Sequence, residues 1–425
     1  MNLPLHSIVI GTGLMLLQCL LAIPWSIATF FTPDEWEKLK QKGFGAWVRQ
    51  WAVIALVVSV AAPIFVTTFI KDRGSLEVAG RLYGAILQMQ LTLDVFILFF
   101  AVILWLWPKG GAVALAAFRE GVRQPMFWLL TGLAAFAMFI SIFVPYFTFG
   151  EDYLMVKQLG YDTIMLAAVI FGGLAASLSI SEEIEGRAAI TVMSKPVSRR
   201  QFMLGKYAGI ILAALFMFGV LGVCFEGVLV VKHWWDKLEP ISTAVETETN
   251  QVRIGVVSTP RWVTDTLERV SLPGVLTDFL RGVGQWTAHS LDTLPGLVLC
   301  YSQVMVLVGL AVALATRVPM VVNLTTVLVV FFLSHLTPVL VSIAGRAQET
   351  QPGPVAQLLG FVSGVFNTIL PDLGLFSMDP ALLSDAPPPQ ALFAQYVGSV
   401  TIYGIVYTGI VLLLGLILFE DRDLA

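Results

Sequence analysis

Charged and polar residues are concentrated in one short stretch of this sequence, residues 182–206. The stretch holds three acidic and five basic residues, although only 13% of the chain is charged. Glu183 precedes Arg187 by four residues, which is the favourable order for an ion pair on a helix. Gly186 between them weakens that helix by about 1 kcal/mol relative to alanine, so we expect a bend or a close approach by another surface there.

The second half of the stretch carries signals that end one helix and begin another. Pro196 forbids helical continuation, and Ser198 followed by Gln201 makes a capping box that starts a helix running into the next apolar stretch. A helix, a proline turn and a capped helix between two spans can transmit a push from a partner into both spans. The alternative is a solvated face whose Arg199 and Arg200 meet anionic lipid.

Four polar side chains interrupt otherwise apolar stretches: Asp94, Glu226, Gln303 and His335. Such residues are costly in lipid and should face a bundle interior, a cavity or the interface. Asp94 has two open interpretations, pairing with Gln88, Gln90 or another helix, and a role in transport. We interpret Glu226 as an interfacial anchor, and for His335 hydrogen-bonded packing is favoured over a proton relay.

Composition excludes several classes of protein. Hydrophobic residues make up 57% of the 425 residues and the mean hydropathy is +0.83, whereas a soluble domain carries about 25% charged residues. A soluble enzyme and a disordered chain are therefore excluded. Lysine and arginine (25) are fewer than aspartate and glutamate (29), which excludes a basic nucleic-acid-binding protein. The three cysteines, Cys19, Cys224 and Cys300, lie in apolar runs without metal-binding spacing, so we predict core residues and no metal site.

Apolar stretches long enough to cross a bilayer recur along the whole chain. A spanning helix needs about 20 mostly apolar residues, because about 30 Å of hydrocarbon is crossed at about 1.5 Å per residue. The stretches that qualify are residues 7–33, 50–70, 87–107, 124–150, 163–181, 207–225, 293–316, 318–345 and 386–419. Only helices and closed barrels cross lipid, and the alternating strands of a barrel do not occur in the pattern. The predicted fold is all-α, a polytopic transmembrane bundle of about nine spans.

Basic residues in the short loops predict the orientation. One set of loops, together with the C-terminal tail, holds 14 lysines and arginines, and the opposite set holds 5 once the long loop 232–291 is set aside. The richer side is predicted to be cytoplasmic, which places the N-terminus outside and the C-terminus inside. The first span lacks a positively charged start and is too long for a secretory signal, so we interpret it as a retained helix.

A Pro-Gly break at residues 108–111 is the clearest internal boundary. It separates a predicted three-helix N-terminal extension, residues 1–110, from a six-helix core, residues 111–425. Directly after it, residues 112–123 read as a short helix lying on the cytoplasmic surface as an elbow into the next span, the alternative being a charged juxtamembrane loop. The candidate elbow residues are Phe118, Arg119 and Arg123.

Two further segments are patterned. Within the outer loop 232–291, residues 260–286 suggest two short amphipathic helices broken at Pro273. Residues 350–371 are charge-free, and their apolar residues repeat along one helical stripe with small and polar residues opposite. We predict an interfacial helix over residues 353–371, with a short buried or re-entrant helix as the alternative.

The charged stretch resembles the signature of ABC-2 type transporter permeases, especially the multi-copper-enzyme-maturation permease group. The residues that carry the resemblance are Glu182-Glu-Ile-Glu-Gly-Arg187 and Ser194-Lys-Pro-Val-Ser-Arg-Arg-Gln-Phe-Met-Leu-Gly-Lys-Tyr207. Weaker similarity lies at Phe118-Arg119, Pro145-Tyr-Phe147 and Pro371-Asp-Leu-Gly-Leu-Phe376. The resemblance covers about residues 112–424 and six spans, and Ala188 departs from it because many relatives carry threonine there.

The resemblance implies that the stretch is a coupling region that docks on a separate ATPase subunit. The implied coupling residues are Glu182, Glu183, Glu185, Gly186, Arg187, Ser194, Lys195, Pro196, Ser198, Arg199, Arg200, Gly205 and Lys206. It also implies a dimer with a second permease copy or paralogue, export as the direction of transport, and the inner (plasma) membrane as the location.

The sequence contains no phosphate-binding loop. Such a loop needs Gly-x-x-x-x-Gly-Lys-Ser/Thr, whereas Gly205-Lys206 is followed by Tyr207. We therefore expect a transport subunit rather than an enzyme, with no cofactor on this chain and with ATP and Mg²⁺ bound by the partner ATPase. Two alternatives remain, an ion-coupled secondary transporter using Asp94 and His335 and a non-transporting membrane scaffold or sensor.

Overall fold

The chain is helical in the parts that the structure describes. In this computed structural model the described residues are 37–38, 72–144, 152–181, 198–236, 274–350, 353–378 and 390–420, and no strand occurs among them. The helices are α1 Arg73–Leu106, α2 Pro108–Arg123, α3 Pro125–Ser141, α4 Asp152–Ala176, α5 Arg199–Asp236, α6 Gly274–Ala315, α7 Met320–Thr350, α8 Pro354–Ile369 and α9 Gln390–Glu420. A π-helical turn, Ser177–Ser181, continues α4, and a 3₁₀ turn, Leu373–Phe376, follows α8.

Six of the described helices are long and apolar enough to cross a membrane: α1, α4, α5, α6, α7 and α9. Helices α2 and α3 meet at a bend of 59° and pass the same test as a pair. The predicted fold class, an all-α polytopic membrane protein, is confirmed. The predicted spans 7–33 and 50–70 lie outside the described residues.

The helices begin where the sequence offers a cap or a proline. Asp72 precedes α1, and its carboxylate accepts hydrogen bonds from the amide (3.0 Å) and hydroxyl (3.1 Å) of Ser75. The bond from the Ser75 amide lowers the pKa of the Asp72 carboxyl. Helices α2, α3 and α8 each begin with a proline, which loses nothing there because the first turn has no internal partner for its missing N–H.

The chain divides into two compact units. The first comprises Met1–Val102 and Val230–Thr293, and the second comprises Ile103–Leu229 and Leu294–Ala425. Helices α1, α5 and α6 each pass from one unit into the other. The division predicted at residue 110, between a three-helix extension and a six-helix core, stays a prediction.

In the first unit, the start of α1 crosses the start of α6 with almost no space between the backbones. A Cβ atom added at Gly80 would lie 2.1 Å from the carbonyl oxygen of Phe279, and one added at Gly282 would lie 2.1 Å from that of Glu77. Because no larger side chain fits, glycine at both positions is what allows the two helices to approach this closely.

Polar bonds surround this crossing. Arg281 forms ion pairs with Asp278 (2.8 Å) and Glu77 (3.4 Å). Side-chain hydrogen bonds continue the layer from Arg81 to Gln285 Oε1 (2.6 and 2.9 Å) and from Trp286 to Gln88 Oε1 (2.6 Å). The charges of the two helices therefore neutralise one another.

The crossing corrects two sequence predictions. The segment 71–86 was expected to be a loop, but from Arg73 onward it is the first part of α1. Two short helices broken at Pro273 were expected within 260–286, but the residues after Pro273 belong to the single 42-residue helix α6, and those up to it lie outside the described residues. At about 1.5 Å per residue, both α1 and α6 exceed the roughly 30 Å of a bilayer interior, so part of each extends beyond it.

Helix α3 is shorter than the predicted span 124–150. It ends at Ser141, and residues 142–144 form a turn. Its 17 residues measure about 26 Å, close to the shortest helix that crosses a bilayer. The beginning of α3, where the 59° bend lies, is therefore expected near a membrane surface.

An aromatic cluster lies at the core of the second unit where α2, α3, α4 and α5 meet. Phe127 is fully buried, and its ring centroid lies 5.2 Å from that of Phe171 and 6.1 Å from that of Phe216. Phe118 reaches the same cluster, 6.2 Å from Phe216. The cluster fixes the α2–α3 bend against the two spans that flank segment 182–197.

Helix α8 turns back along α7. A Cβ atom added at Gly360 would lie 2.5 Å from Nε2 of Gln348, and one added at Gly374 would lie 3.6 Å from Cγ of Pro338. Because Gln348 is near the end of α7 and Pro338 is near its middle, the chain returns toward the middle of that span. This geometry favours the re-entrant alternative for residues 350–371 over an isolated interfacial helix.

Three tyrosines of α9 bind the main chain of the turn that follows α8. Tyr407 donates to the carbonyl oxygen of Ile369 (3.0 Å), Tyr396 donates to that of Leu375 (2.6 Å), and the Tyr403 hydroxyl accepts from the amide of Asp372 (3.1 Å). Irregular backbone within a membrane protein needs such partners, because lipid offers none.

Candidate functional site

The candidate site is the junction on both sides of segment 182–197, which itself lies outside the described residues. The predicted coupling residues within that segment are Glu182, Glu183, Glu185, Gly186, Arg187, Ser194, Lys195 and Pro196. Those that the structure describes lie at the start of α5: Ser198, Arg199, Arg200, Gly205 and Lys206. The π-helical turn Ser177–Ser181 is the flank on the other side.

The capping box predicted at the start of α5 is confirmed. The amide of Ser198 donates to Oε1 of Gln201 (3.1 Å), and the amide of Gln201 donates to Oγ of Ser198 (3.2 Å). Two otherwise unpaired donors of the helix start are thereby satisfied. The chain that leaves segment 182–197 thus enters α5 at a fixed point.

A buried lysine joins the two flanks of the segment. The ammonium of Lys206 donates to Oγ of Ser179 in the π-helical turn (2.7 Å) and lies 3.5 Å from the carboxylate of Glu120 in α2. Oγ of Ser179 in turn lies 3.3 Å from the same carboxylate oxygen. These three residues, which we call the Lys206 cluster, link the end of α4, the start of α5 and helix α2.

The charge of the Lys206 cluster is compensated inside the protein but reachable from outside. The Lys206 side chain is 6% exposed, whereas that of Glu120 is 44% exposed. The ammonium also lies 5.8 Å from the ring centroid of Phe202, within the range of a cation–π contact. A cation held in this way loses much of its hydration, so its position depends on the acid and the hydroxyl that hold it.

Two glycines bring α5 directly onto α2. A Cβ atom added at Gly205 would lie 2.9 Å from the carbonyl oxygen of Gly110, and one added at Gly209 would lie 2.4 Å from that of Ala114. The spacing of four residues places both glycines on one face of α5. Gly205, predicted as a coupling residue, therefore serves the packing of α5 on α2.

The π-helical turn is bound on its other side by α7. Asn323 is fully buried, and its amide donates to Oγ of Ser177 (2.9 Å) and to the carbonyl oxygen of Ala311 (2.9 Å). Turns with π-helical bonding are rare and occur often at functional positions. The end of α4 is thus held from two directions, by Asn323 at Ser177 and by Lys206 at Ser179.

Three arginines bind the end of α9. Their contacts are Arg199 Nη1 with the carbonyl oxygens of Phe419 (3.0 Å) and Glu420 (2.8 Å), Arg317 Nε with that of Leu418 (2.8 Å), and Arg200 Nη2 with the Glu420 carboxylate (3.0 Å). The last carbonyls of a helix have no internal partner and carry partial negative charge, so cations bind well there. We call this group the arginine clasp, and it ties the entry of α5 to the end of the last span.

Helix α2 presents two of its predicted elbow residues outward. Phe118 packs into the aromatic cluster, whereas Arg119 and Arg123 are exposed. The helix then meets α3 at the 59° bend beside Gln124. The helix expected over residues 112–123 is therefore present, and it begins earlier, at Pro108.

The intramembrane polar candidates belong to both units and are described within each unit separately. Asp94 belongs to the first unit, and neither of its carboxylate oxygens has a hydrogen-bond partner among the residues that the structure describes. Its predicted partner Gln88 accepts a hydrogen bond from Trp286. Gln303 and His335 belong to the second unit, with 3.4 Å between their Nε2 atoms, and Nδ1 of His335 lies 2.8 Å from the carbonyl oxygen of Phe331. His335 therefore lies within hydrogen-bond distance of both groups, and the choice between packing and a proton relay stays a prediction.

Glu226 is 1% exposed within α5, so its side chain is buried against other parts of the protein. Its role as an interfacial anchor stays a prediction.

Several residues of the site were missed from sequence. Glu120, Ser179, Arg317 and Asn323 were not singled out, although each makes a bond that fixes a flank of the segment. The one available signal was the alternation of serines, Ser177–Ser181, at the end of an apolar span. Their partners lie tens of residues away in the chain, so local patterns do not indicate them.

Comparison with known protein families finds a match in this part of the chain. Residues 122–259 match the family described as ABC-2 family transporter protein. The match covers about a third of the chain and includes α3, α4, segment 182–197 and α5. No curated protein matches the chain.

The match to the ABC-2 family transporter model over residues 122–259 supports a membrane permease subunit of an ABC transporter. The narrower resemblance to the multi-copper-enzyme-maturation group is not confirmed by the match. The region includes Ser179, Lys206 and both arginines at the start of α5.

Proposed function

We propose that this chain is the permease subunit of an ATP-driven exporter and that a separate ATPase docks on segment 182–197. The observation that carries the proposal is the Lys206 cluster, in which the two ends of that segment are bonded to each other and to α2. The segment lies within the ABC-2 match. A partner that pushes on it acts on two spans and on α2 at once.

The geometry gives the push a defined route. Displacement of the segment moves Ser179 and Lys206, which are 2.7 Å apart, as one body. Because α5 lies against the α2 backbone at Gly205 and Gly209, α2 and α5 move together. Rigid-body movement of packed helices is how transporters alternate between inward-open and outward-open states.

The arginine clasp carries the movement further. Arg199 begins α5 and binds the last carbonyls of α9, so a shift of the α5 start also shifts the end of the last span. Arg317 makes the same connection from the loop between α6 and α7. A push on segment 182–197 therefore reaches four helices that contribute to the second unit: α2, α4, α5 and α9.

The remaining parts of the transporter come from other chains in this proposal. ATP and Mg²⁺ bind to the partner ATPase, since the sequence of this chain has no phosphate-binding loop. A second permease copy or a paralogue completes a dimer. The charged junction lies on the cytoplasmic side of the inner membrane in this proposal, which the larger number of basic residues in the loops on that side supports.

Charge reversal within the segment tests the proposal. The chain is co-expressed with a candidate ABC ATPase subunit from the same genome, and a tagged permease is purified as wild type and as Glu185→Arg with Arg187→Glu. We expect ATPase recovery or permease-stimulated hydrolysis to fall about tenfold, which corresponds to about 1.4 kcal/mol of lost contact. The membrane insertion of the variant should be unchanged.

The matched control reverses an exposed pair elsewhere, Arg346→Glu with Glu349→Arg at the end of α7. It should leave ATPase recovery and hydrolysis as in the wild type. Equal recovery and equal hydrolysis in the wild type and the segment variant would show that the ATPase does not dock there.

A further inference from the structure

Helix α2 has two faces of opposite character. Its packed face consists of small buried residues, Gly110, Gly111, Ala114, Ala117 and Gly121. Its exposed face carries Lys109, Arg119 and Arg123, which fall within an arc of about 80° because successive residues are about 100° apart on a helix. Glu120, the exposed acid at the edge of this arc, pairs with Lys206. A basic stripe therefore runs along the outer side of a helix whose inner side is packed on α5.

The three cations of this stripe have no partner among the described residues, with neither an ion pair nor a hydrogen bond. The other basic residues that the structure describes at this junction are engaged: Lys206 in its cluster, and Arg199, Arg200 and Arg317 in the arginine clasp. Arg119 and Arg123 are also spaced i, i+4, where like charges repel. A stripe with this arrangement is stabilised by negative charge from outside the chain.

Tryptophans mark the level of α2 relative to the membrane. Trp105, just before α2, is 81% exposed, and Trp128, just after it, is 53% exposed. Exposed tryptophan at the ends of spans is typical of the membrane–water interface. Since α1 ends and α3 begins at the two ends of α2, both ends of α2 lie at the interface, and so does the basic stripe.

We infer that the exposed stripe of α2 binds the phosphate groups of anionic phospholipids. Guanidinium groups form paired hydrogen bonds with phosphate oxygens, and Lys109 supplies a further positive charge. The attraction is that of a basic juxtamembrane segment for an anionic leaflet. Bound lipid then holds α2 at the surface, independently of whether an ATPase docks on segment 182–197.

Lipid binding by the intact purified chain tests this inference. Native mass spectrometry counts bound phosphatidylglycerol and phosphatidylcholine on the wild type, on Lys109→Gln with Arg119→Gln and Arg123→Gln, and on Lys109→Arg with Arg119→Lys and Arg123→Lys. We expect the wild type to prefer phosphatidylglycerol, the neutral variant to lose about fivefold in affinity for each charge removed, and the charge-conserving variant to keep most of it. High salt should weaken the wild-type preference.

A neutral variant that keeps the full preference for phosphatidylglycerol would overturn the inference. So would a neutral variant that keeps this preference but no longer retains the ATPase, because the stripe would then bind protein. If the triple variant does not fold, the single variants Arg119→Gln and Arg123→Gln are compared, and unchanged affinity in both overturns the inference as well.

Discussion

Two helix crossings in this molecule are equally close but are held by different polar contacts. Where α1 crosses α6, Gly80 and Gly282 let the two backbones come into contact, and several ion pairs and hydrogen bonds surround the two glycines. Where α2 crosses α5, Gly205 and Gly209 do the same, but one buried lysine supplies the polar contact. The first crossing has redundant bonds, whereas the polar contacts described at the second converge on Lys206.

The difference indicates what each crossing is suited to. A crossing with several partly exposed bonds tolerates the loss of any one of them, because water replaces the missing partner. A crossing that depends on one buried cation changes when that cation moves. The α2–α5 crossing is therefore the one suited to transmit movement, and it is the one beside segment 182–197.

The largest loss of stability is expected from replacing the glycines, which both crossings share. Gly209→Ala and Gly282→Ala each place a Cβ atom within 2.4 Å of a backbone oxygen, so we expect each to lower the free energy of unfolding by about 2–3 kcal/mol. Unfolding of the purified chain in detergent measures it. Gly132→Ala is the control, because nothing lies within 4 Å of its added Cβ, and a loss there equal to the other two would contradict the explanation.

The next largest effect should distinguish the α2–α5 crossing from the α1–α6 crossing. Lys206→Met removes the charge but keeps most of the side-chain volume, leaving Ser179 buried without its donor, so we expect a loss of about 1–3 kcal/mol in stability. Permease-stimulated hydrolysis by the co-purified ATPase should fall by more than that loss of folded protein explains.

A double-mutant cycle sharpens the same prediction. Lys206→Met and Glu120→Gln act on one contact of 3.5 Å, so their combined effect should be smaller than the sum of the single effects by about 0.5 kcal/mol or more. Additive effects would show that the two residues act independently. Unfolding of the four proteins under one set of conditions provides the measurement.

A smaller effect is expected when one bond of the redundant crossing is removed. Arg281→Gln deletes ion pairs with Asp278 and Glu77, yet the side chains involved are about one-fifth exposed and other bonds remain. The loss in stability should stay near 1 kcal/mol or below and should shrink in high salt. A loss larger than that of Lys206→Met would reverse the comparison between the crossings.

The smallest effects are expected in the arginine clasp. Arg199→Gln removes bonds to two terminal carbonyls of α9 and should cost about 0.5–1 kcal/mol. Arg200→Gln removes an exposed ion pair and should stay within about 0.5 kcal/mol. Hydrogen exchange at the end of α9 should increase more for Arg199→Gln than for Arg200→Gln.

Sequence patterns were sufficient where the cause is local. The spans follow from runs of apolar residues, and the capping box at Ser198 follows from two side chains three residues apart. The helix predicted over residues 112–123 follows from the small and charged residues that lie on its opposite sides. In each case the residues that determine the structure are neighbours along the chain.

The sequence patterns failed where the structure depends on contacts with residues far away in the sequence. Arg73, Glu77 and Arg81 end a hydropathy window, so a loop was expected. Residues more than 190 positions away in α6 form ion pairs with Arg73 and Glu77 and accept hydrogen bonds from Arg81. Lys206 was singled out for coupling, yet its partner Glu120 lies 86 residues earlier and was not. No local pattern contains information about such partners.

The tyrosines of α9 have a consequence for the order in which the protein is made. Residues 353–376 leave the ribosome before Tyr396, Tyr403 and Tyr407, whose hydroxyl groups bind their main chain. Until α9 is inserted, the carbonyls and amide of this turn have no partner except water, and burying them unpaired is unfavourable. Residues 353–376 therefore settle against their partners only after the last helix, so a ribosome-bound chain truncated before Tyr396 should leave them accessible to water-soluble reagents.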